Sequence, residues 1–201
     1  MTPPGLLVLH ALRCAGTSSR GRVAAATGFG ESEVESELID LAVAGLVTHE
    51  PGEFGGWSMT EAGRAEDARR ITGELESAGA HAAVTAAFED FLVLNPELLD
   101  LCTAWQVRTV DGVVTVNDHT DSAYDTRVLG RFADLDRRAA AVRTALSAAL
   151  PRFERYRIRL TAALEHAAAG RLEYVADDIA SYHTVWAELH EDLLATLGIP
   201  R

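Results

Sequence analysis

Residues 42–65 read AVAGLVTHEPGEFGGWSMTEAGRA, and the order of signals in this stretch decides the fold. Ala42 to Gly45 ends an apolar helical pattern. Leu46 to His49 then reads as a short strand, Pro51-Gly52-Glu53-Phe54-Gly55-Gly56 as a glycine-rich turn, and Trp57 to Thr60 as the returning strand. Thr60 followed by Glu61 opens a further helix. The stretch is thus a helix end, a small hairpin and a helix start.

Upstream, the chain prepares that hairpin with three short helices. Leu6, Leu9, His10 and Arg13 fall at helical spacing after Pro3-Pro4, which predicts a first helix over residues 5–15 closed by Gly16. Ser18-Ser19 opens a second, which carries Val23 to Ala26 as far as Gly28-Phe29-Gly30. A glycine-bounded turn of this kind joins two helices at a sharp angle. The third starts at Glu31-Ser32-Glu33 and keeps Val34, Leu38, Leu41 and Ala42 on one stripe.

Downstream, Thr72 to Ala87 is rich in Ala and Glu and predicts a helical linker. Phe88, Phe91, Leu92 and Leu94 continue an apolar face to Asn95-Pro96-Glu97, where Asn before Pro predicts a helix restart with a kink or a break at Asn95. In VRTVDGVVTV (107–116), Asp111-Gly112 lies between two β-branched runs and predicts a hairpin. Long helices are expected over 120–150, 151–169 and 179–197, the last closed by Gly198 and Pro200. The expected fold class is mainly α: a winged helix-turn-helix with a small β-hairpin wing over residues 1–75, then an antiparallel four-helix bundle over 76–201.

The chain has 201 residues, 18 basic against 30 acidic, for a formal charge of −12, and every basic side chain except histidine is Arg. That balance repels phosphate backbones and anionic lipid surfaces. Residues 1–76 alone hold six Arg against twelve acids. Cys14 and Cys102 lie far apart with no CxxC spacing, which predicts buried free thiols. The start lacks a positive signal region, and no stretch approaches the ~20 apolar residues of a membrane span, so a cytoplasmic protein off the membrane is expected.

The stretch 42–65 resembles the end of helix three, the wing and the next helix of bacterial winged-helix regulators of the MarR and related types, and the likeness extends over residues 5–70. The resemblance implies DNA binding by a homodimer, with the start of the third helix, Glu31, Ser32, Glu33, Glu35 and Ser36, entering the major groove. Ser32 and Ser36, with Arg20, Arg22, Arg64 and Arg69 for phosphates, are the candidate DNA-binding residues; Arg70 adds a further surface cation. Carboxylates dominate this reading head and the wing has no basic residue, which favours a protein partner for the acidic helix. The dimer seam is expected on Val84, Phe88, Phe91 and Leu92.

Three polar stripes mark the C-terminal part. NDHTDSAYD (117–125) places Asp118, Asp121 and Asp125 on one face; Arg152, Arg155 and Arg159 follow with Tyr156; Tyr182, His183, Trp186 and His190 line the last helix. Facing one another, they would form an aromatic-walled site for a small carboxylate or phosphate. Its expected ligand-binding residues are Asp121, Tyr124, Asp125, Arg155, Arg159, His183, Trp186 and His190. Inter-helix Asp–Arg bridges explain the same stripes. No catalytic motif, cofactor or metal is expected; the Glu-x-x-His pairs of di-iron bundles are missing, and a His119, Asp118 and Asp121 metal site is generic. A small enzyme using His119, Asp121 and His183 is a third reading.

CTAWQVR (102–108), NDHTDSAYD and YHTVWAELHEDLL (182–194) are similar to blocks in a C-terminal region of some actinobacterial proteins akin to pyruvate phosphate dikinase. This second resemblance spans residues 20–198. It implies a non-catalytic accessory or docking subunit of a phosphoenolpyruvate-utilising phosphotransferase system, as the alternative to a ligand-sensing transcriptional regulator.

Overall fold

Pro3 and Pro4 fix the backbone at the start of the first helix, α1 (Pro4–Ala15), and Gly16 at φ 70 ends it. The chain is a computed structural model that describes residues 2–52 and 55–200. Ser19 caps α2 (Arg20–Thr27) by accepting from Arg22 N, and Gly28 in the left-handed conformation stops it. In α3 (Glu31–Val43), Val34, Leu38 and Leu41 are the buried stripe that periodicity requires. Strands β1 (Val47–Glu50) and β2 (Gly56–Met59) pair antiparallel, with Val47 opposite Met59 and Glu50 opposite Gly56. The loop between α1 and α2 joins this hairpin through two backbone bonds between Ser18 and Trp57. Glu53 and Phe54 of the expected turn lie outside the described residues.

Thr60 caps α4 (Glu61–Ser77), and its backbone N–H donates to Leu46 O at 3.0 Å. Gly63, one turn on, is so close to the same carbonyl that a Cβ there would overlap it. Gly63→Ala is therefore expected to lower stability by about 1–3 kcal/mol, read as a shifted urea midpoint at unchanged m.

The expected linker helix over 72–87 is interrupted. Gly79 at φ 60 turns the chain, with Ala80 N bonded back to Leu75 O, so α4 ends and α5 (His81–Gln106) begins. The expected break at Asn95 does not occur either: α5 runs through Pro96. Proline removes one backbone donor, but Phe91, Leu94, Leu98 and Leu101 on both sides of it are buried on one face, and their packing outweighs that loss. Asn95 is not a cap; its Oδ1 accepts from Trp186 Nε1 at 3.0 Å.

Strands β3 (Val107–Val110) and β4 (Val113–Val116) form the expected second hairpin, with Asp111 and Gly112 both at positive φ, as a primed two-residue turn requires. Then follow α6 (Ser122–Ala149), a short 3-10 turn at Pro151–Phe153, α7 (Glu154–Ala168), a second 3-10 turn at Leu172–Tyr174 and α8 (Tyr182–Leu197). The last helix starts three residues later than the sequence suggests, because Ser181 caps it through Thr184 N.

The chain is mainly helical, with two small antiparallel hairpins among the described residues. Its apolar core falls into two clusters. One joins Val8, Leu9, Leu12, Val34, Leu38, Val47 and Met59. The other joins α5, α6, α7 and α8 through Phe91, Trp105, Phe132, Leu160, Tyr182 and Trp186. There α5 packs on α6, α6 on α7, α7 on α8 and α8 back on α5. Between the two clusters, α1 and α4 meet α8, and α2 meets α7. No helix among the described residues is long and apolar enough to cross a membrane.

Candidate functional site

Where α1 and α4 meet α7 and α8, the seam is ionic. The 3-10 turn before α7 projects Arg152 inward, and the next turn adds Arg155. Both reach the fully buried Asp192 on α8: Arg152 Nη1 lies 2.6 and 2.8 Å from its two oxygens, and Arg155 Nη2 donates to Oδ2 at 2.9 Å. Tyr156 OH also donates to Oδ2 at 2.9 Å, and Thr196 Oγ1 donates to Oδ1 at 3.0 Å. From the other side, His10 on α1 places Nε2 3.0 Å from Asp192 Oδ1 and Nδ1 3.1 Å from Asp67 Oδ1 on α4. Arg152 Nε donates to Glu74, also on α4, at 2.7 Å. One carboxylate is thus held by groups from α1, the pre-α7 turn, α7 and α8.

Burial opposes charge on His10, Arg152, Arg155 and Asp192, so only mutual pairing keeps them ionised. For His10 burial is the largest influence and lowers the pKa, yet Cys14, Asp192 and Asp67 together outweigh it and hold the imidazole well above 6.5. For Asp192 burial pushes upward, and Arg152, His10 and Arg155 overcome it, leaving the carboxyl well below 3.8. With a carboxylate on each ring nitrogen, His10 is the doubly protonated imidazolium.

A second set of pairs extends the seam. Glu188 on α8 accepts from Arg22 of α2 at 3.0 Å and from Arg159 of α7 at 2.6 Å, while Arg13 of α1 reaches Glu191 at 2.9 Å. Beside them lies a cleft of about 280 Å³ lined by Leu7, Ala25, Ile158, Arg155 and Arg159. The Nε and Nη1 atoms of Arg155 are buried without a hydrogen-bond partner.

The three polar stripes do not meet in one centre. Arg155 and Arg159 turn to α8 acids at positions 188 and 192, whereas Asp121, Tyr124 and Asp125 stay at the other hairpin. Asp121 is exposed, caps α6 through Tyr124 N and pairs with Arg108. Asp118 also pairs with Arg108. Tyr124 OH donates to Ala104 O at 2.7 Å. Buried Asp125 accepts from Asn117 Nδ2 at 2.8 Å and lies 3.0 Å from His119 Nδ1, and His119 packs on Trp105. These groups fasten the hairpin to the start of α6. Trp186 is buried, stacked on Phe91 at 4.8 Å, so it belongs to the core. His190 stacks on the same Phe91 ring and on Phe88, and His183 is half-buried near the start of α8.

The candidate DNA contacts are similarly divided. Arg22 is spent on Glu188, Arg20 pairs with Glu31 and Glu35, and Arg69 and Arg70 share Glu66. Arg64 is exposed on α4. Ser32 and Ser36 are exposed on α3, where Ser36 Oγ donates to Ser32 O. Val84, Phe88 and Phe91 are buried in the chain's own second core, so of the expected dimer seam only Leu92 remains at the surface.

Among the described residues, His10 Nε2, Cys14 Sγ and Asp192 Oδ1 form one group of metal-ligand types, all within 4.8 Å. Asp192 already receives five donors from the protein, two of them guanidinium groups, so a dication there would displace an existing pair and face two cations. The arrangement suits an ion-paired cluster better than a metal centre. Sequence reasoning missed His10, Asp67, Glu188 and Asp192 as partners. A signal was present: Asp192 shares a stripe with Leu189 and Leu193, and Asp67 with Ile71, so each acid stands at a core-facing position and demands a cation. No protein-family model, curated protein or solved structure matches this chain.

Proposed function

We propose that the chain is a two-domain docking protein, a winged helix joined through its ionic seam to a four-helix bundle, and that the outer face of α3 binds a protein. The observation that carries this reading is the state of the arginines. A duplex needs free cations on α2, α3 and the wing, yet Arg20 and Arg22 are neutralised by acids of the chain itself and α3 contributes none. What α3 does present is exposed Glu33 and Asp40 with Ile39, 51% exposed, and Val43, 86% exposed. Carboxylates around exposed aliphatic side chains suit a basic, partly apolar protein surface. The blocks similar to dikinase-associated proteins point to a phosphoenolpyruvate-using enzyme as the class of partner.

The order of three helices, hairpin and helix supports the second reading, a MarR-like dimeric regulator with DNA as partner. The cleft at Arg155 and Arg159 would then serve a small anion. Fluorescence anisotropy with duplexes, including the protein's own promoter region, separates the two at 50 mM salt. The docking reading expects no binding there. Steeply salt-dependent binding that Glu33→Gln and Glu35→Gln tighten would establish the regulator instead.

A further inference from the structure

Cys14 stands apart from the other cysteine and has no part in the docking reading. It is half-buried on α1, one turn after His10, and its Sγ lies 3.6 Å from His10 Nε2. Behind the imidazole, Nδ1 is 3.1 and 3.2 Å from the two oxygens of Asp67, which fixes the ring. Thiol, imidazole and carboxylate thus stand in line on α1 and α4, the order in which a nucleophile, its proton partner and an orienting group are arranged.

The remaining surroundings are cationic on the side that matters. On α7, Arg155 has a side chain only 10% exposed, interacts electrostatically with Cys14, and keeps Nε and Nη1 without a hydrogen-bond partner. On α8, Asp192 is already covered by Arg152, Arg155 and His10, and Glu191 is paired with Arg13. Tyr156 on α7 is held as the neutral phenol, first by burial. A charged imidazole and a guanidinium with spare donors beside a partly accessible thiol is the setting in which cysteines react as nucleophiles.

We propose that Cys14 is a modification site: a nucleophilic thiol, paired with His10 and backed by Asp67, that takes the distal oxygen of a small hydroperoxide. The thiol gives its proton to solvent as its sulfur lone pair attacks that oxygen, the S–O bond forms and the O–O bond breaks. Sulfur is oxidised by two electrons to the sulfenic acid and the peroxide is reduced. The departing oxygen takes the Nε2 proton of His10, which otherwise faces Asp192 at 3.0 Å, and leaves as an alcohol or water, and solvent returns a proton to the imidazole. Modification there adds an oxygen where α1 meets α8.

Cys102 is an internal control. Burial pushes its thiol up to about 11, and it contacts no such cluster. The full-length chain, treated at neutral pH with stoichiometric hydrogen peroxide and a sulfenic-acid trap, is expected to carry the adduct at Cys14 and not at Cys102. The rate at Cys14 should be about ten-fold higher in the folded chain than in the same chain unfolded in urea, the reverse of what exposure alone produces. His10→Asn and Arg155→Met should remove that advantage. If either variant fails to fold, the folded-against-unfolded comparison in the wild type still decides. A folded rate at or below the unfolded one overturns the proposal. So does stoichiometric Zn²⁺ binding that blocks Cys14 in the chain as purified, which would make the same atoms a metal centre.

Discussion

Asp192→Asn is expected to lower the stability of the folded chain by about 3–5 kcal/mol, a fall in Tm of about 6–20 °C. The substitution changes almost no volume, so the effect is electrostatic. Asp192 is fully buried and accepts from Arg152, Arg155, Tyr156, Thr196 and His10. An amide has one acceptor oxygen and turns an NH₂ toward the remaining donors. Arg152, itself buried, is left with Glu74 as its only carboxylate partner, and Arg155 with none. Adding Arg155→Met should recover part of the loss, because it removes the guanidinium left without a carboxylate partner. Asp121→Asn is the control. That residue is exposed and caps α6, and Asn caps a helix as well as Asp, so the midpoint should stay where it is. Equal effects of the two substitutions would show that the seam contributes nothing beyond an ordinary surface pair.

The same seam shows what was legible in the sequence. Local signals carried far: Gly16, Gly28 and Gly198 end helices where expected, and Asp111-Gly112 makes the second hairpin. Arg152, Arg155 and Arg159, spaced as one stripe, all reach acids of α8, the first two Asp192 and the last Glu188. What spacing cannot supply is the identity of the facing element. Asp121 and Asp192 are both acids on helices that could face α7, and only the packing of α8 against α1 and α4 selects the second. The expected break at Asn95 fails for a related reason. A proline is a local penalty, whereas Phe91, Leu94, Leu98 and Leu101 hold α5 continuous through contacts distant in sequence. Trp186 and His190 look like site residues because aromatic and imidazole groups serve sites and cores alike. Their stacking on Phe91 assigns them to the core.

His10 makes stability depend on pH in a direction opposite to that of the carboxylates around it. Its pKa in the folded chain lies well above 6.5, so the folded state retains a proton that the unfolded chain gives up. The stabilisation is complete below about pH 6.5 and is lost as pH climbs toward the folded value. In that window stability falls as pH rises, by at most about 1.4 kcal/mol per pH unit. Asp192, held well below 3.8, contributes stability above that value and loses it only in stronger acid, so it is silent in the same window. The upper bound of the experiment matters as well. Cys102 and Tyr156 are both pushed upward by burial, so ionisation of their unfolded forms, beginning with the cysteine at about pH 8.5, adds further alkaline loss. Between pH 6 and 8.5, urea titrations of the wild type should therefore show falling stability, and His10→Asn should flatten the curve at a lower overall level. Parallel slopes for the two proteins would mean that His10 is neutral in the folded chain. A neutral imidazole has a single N–H, so it would then donate to only one of Asp67 and Asp192, and the arginines would hold the rest of the seam.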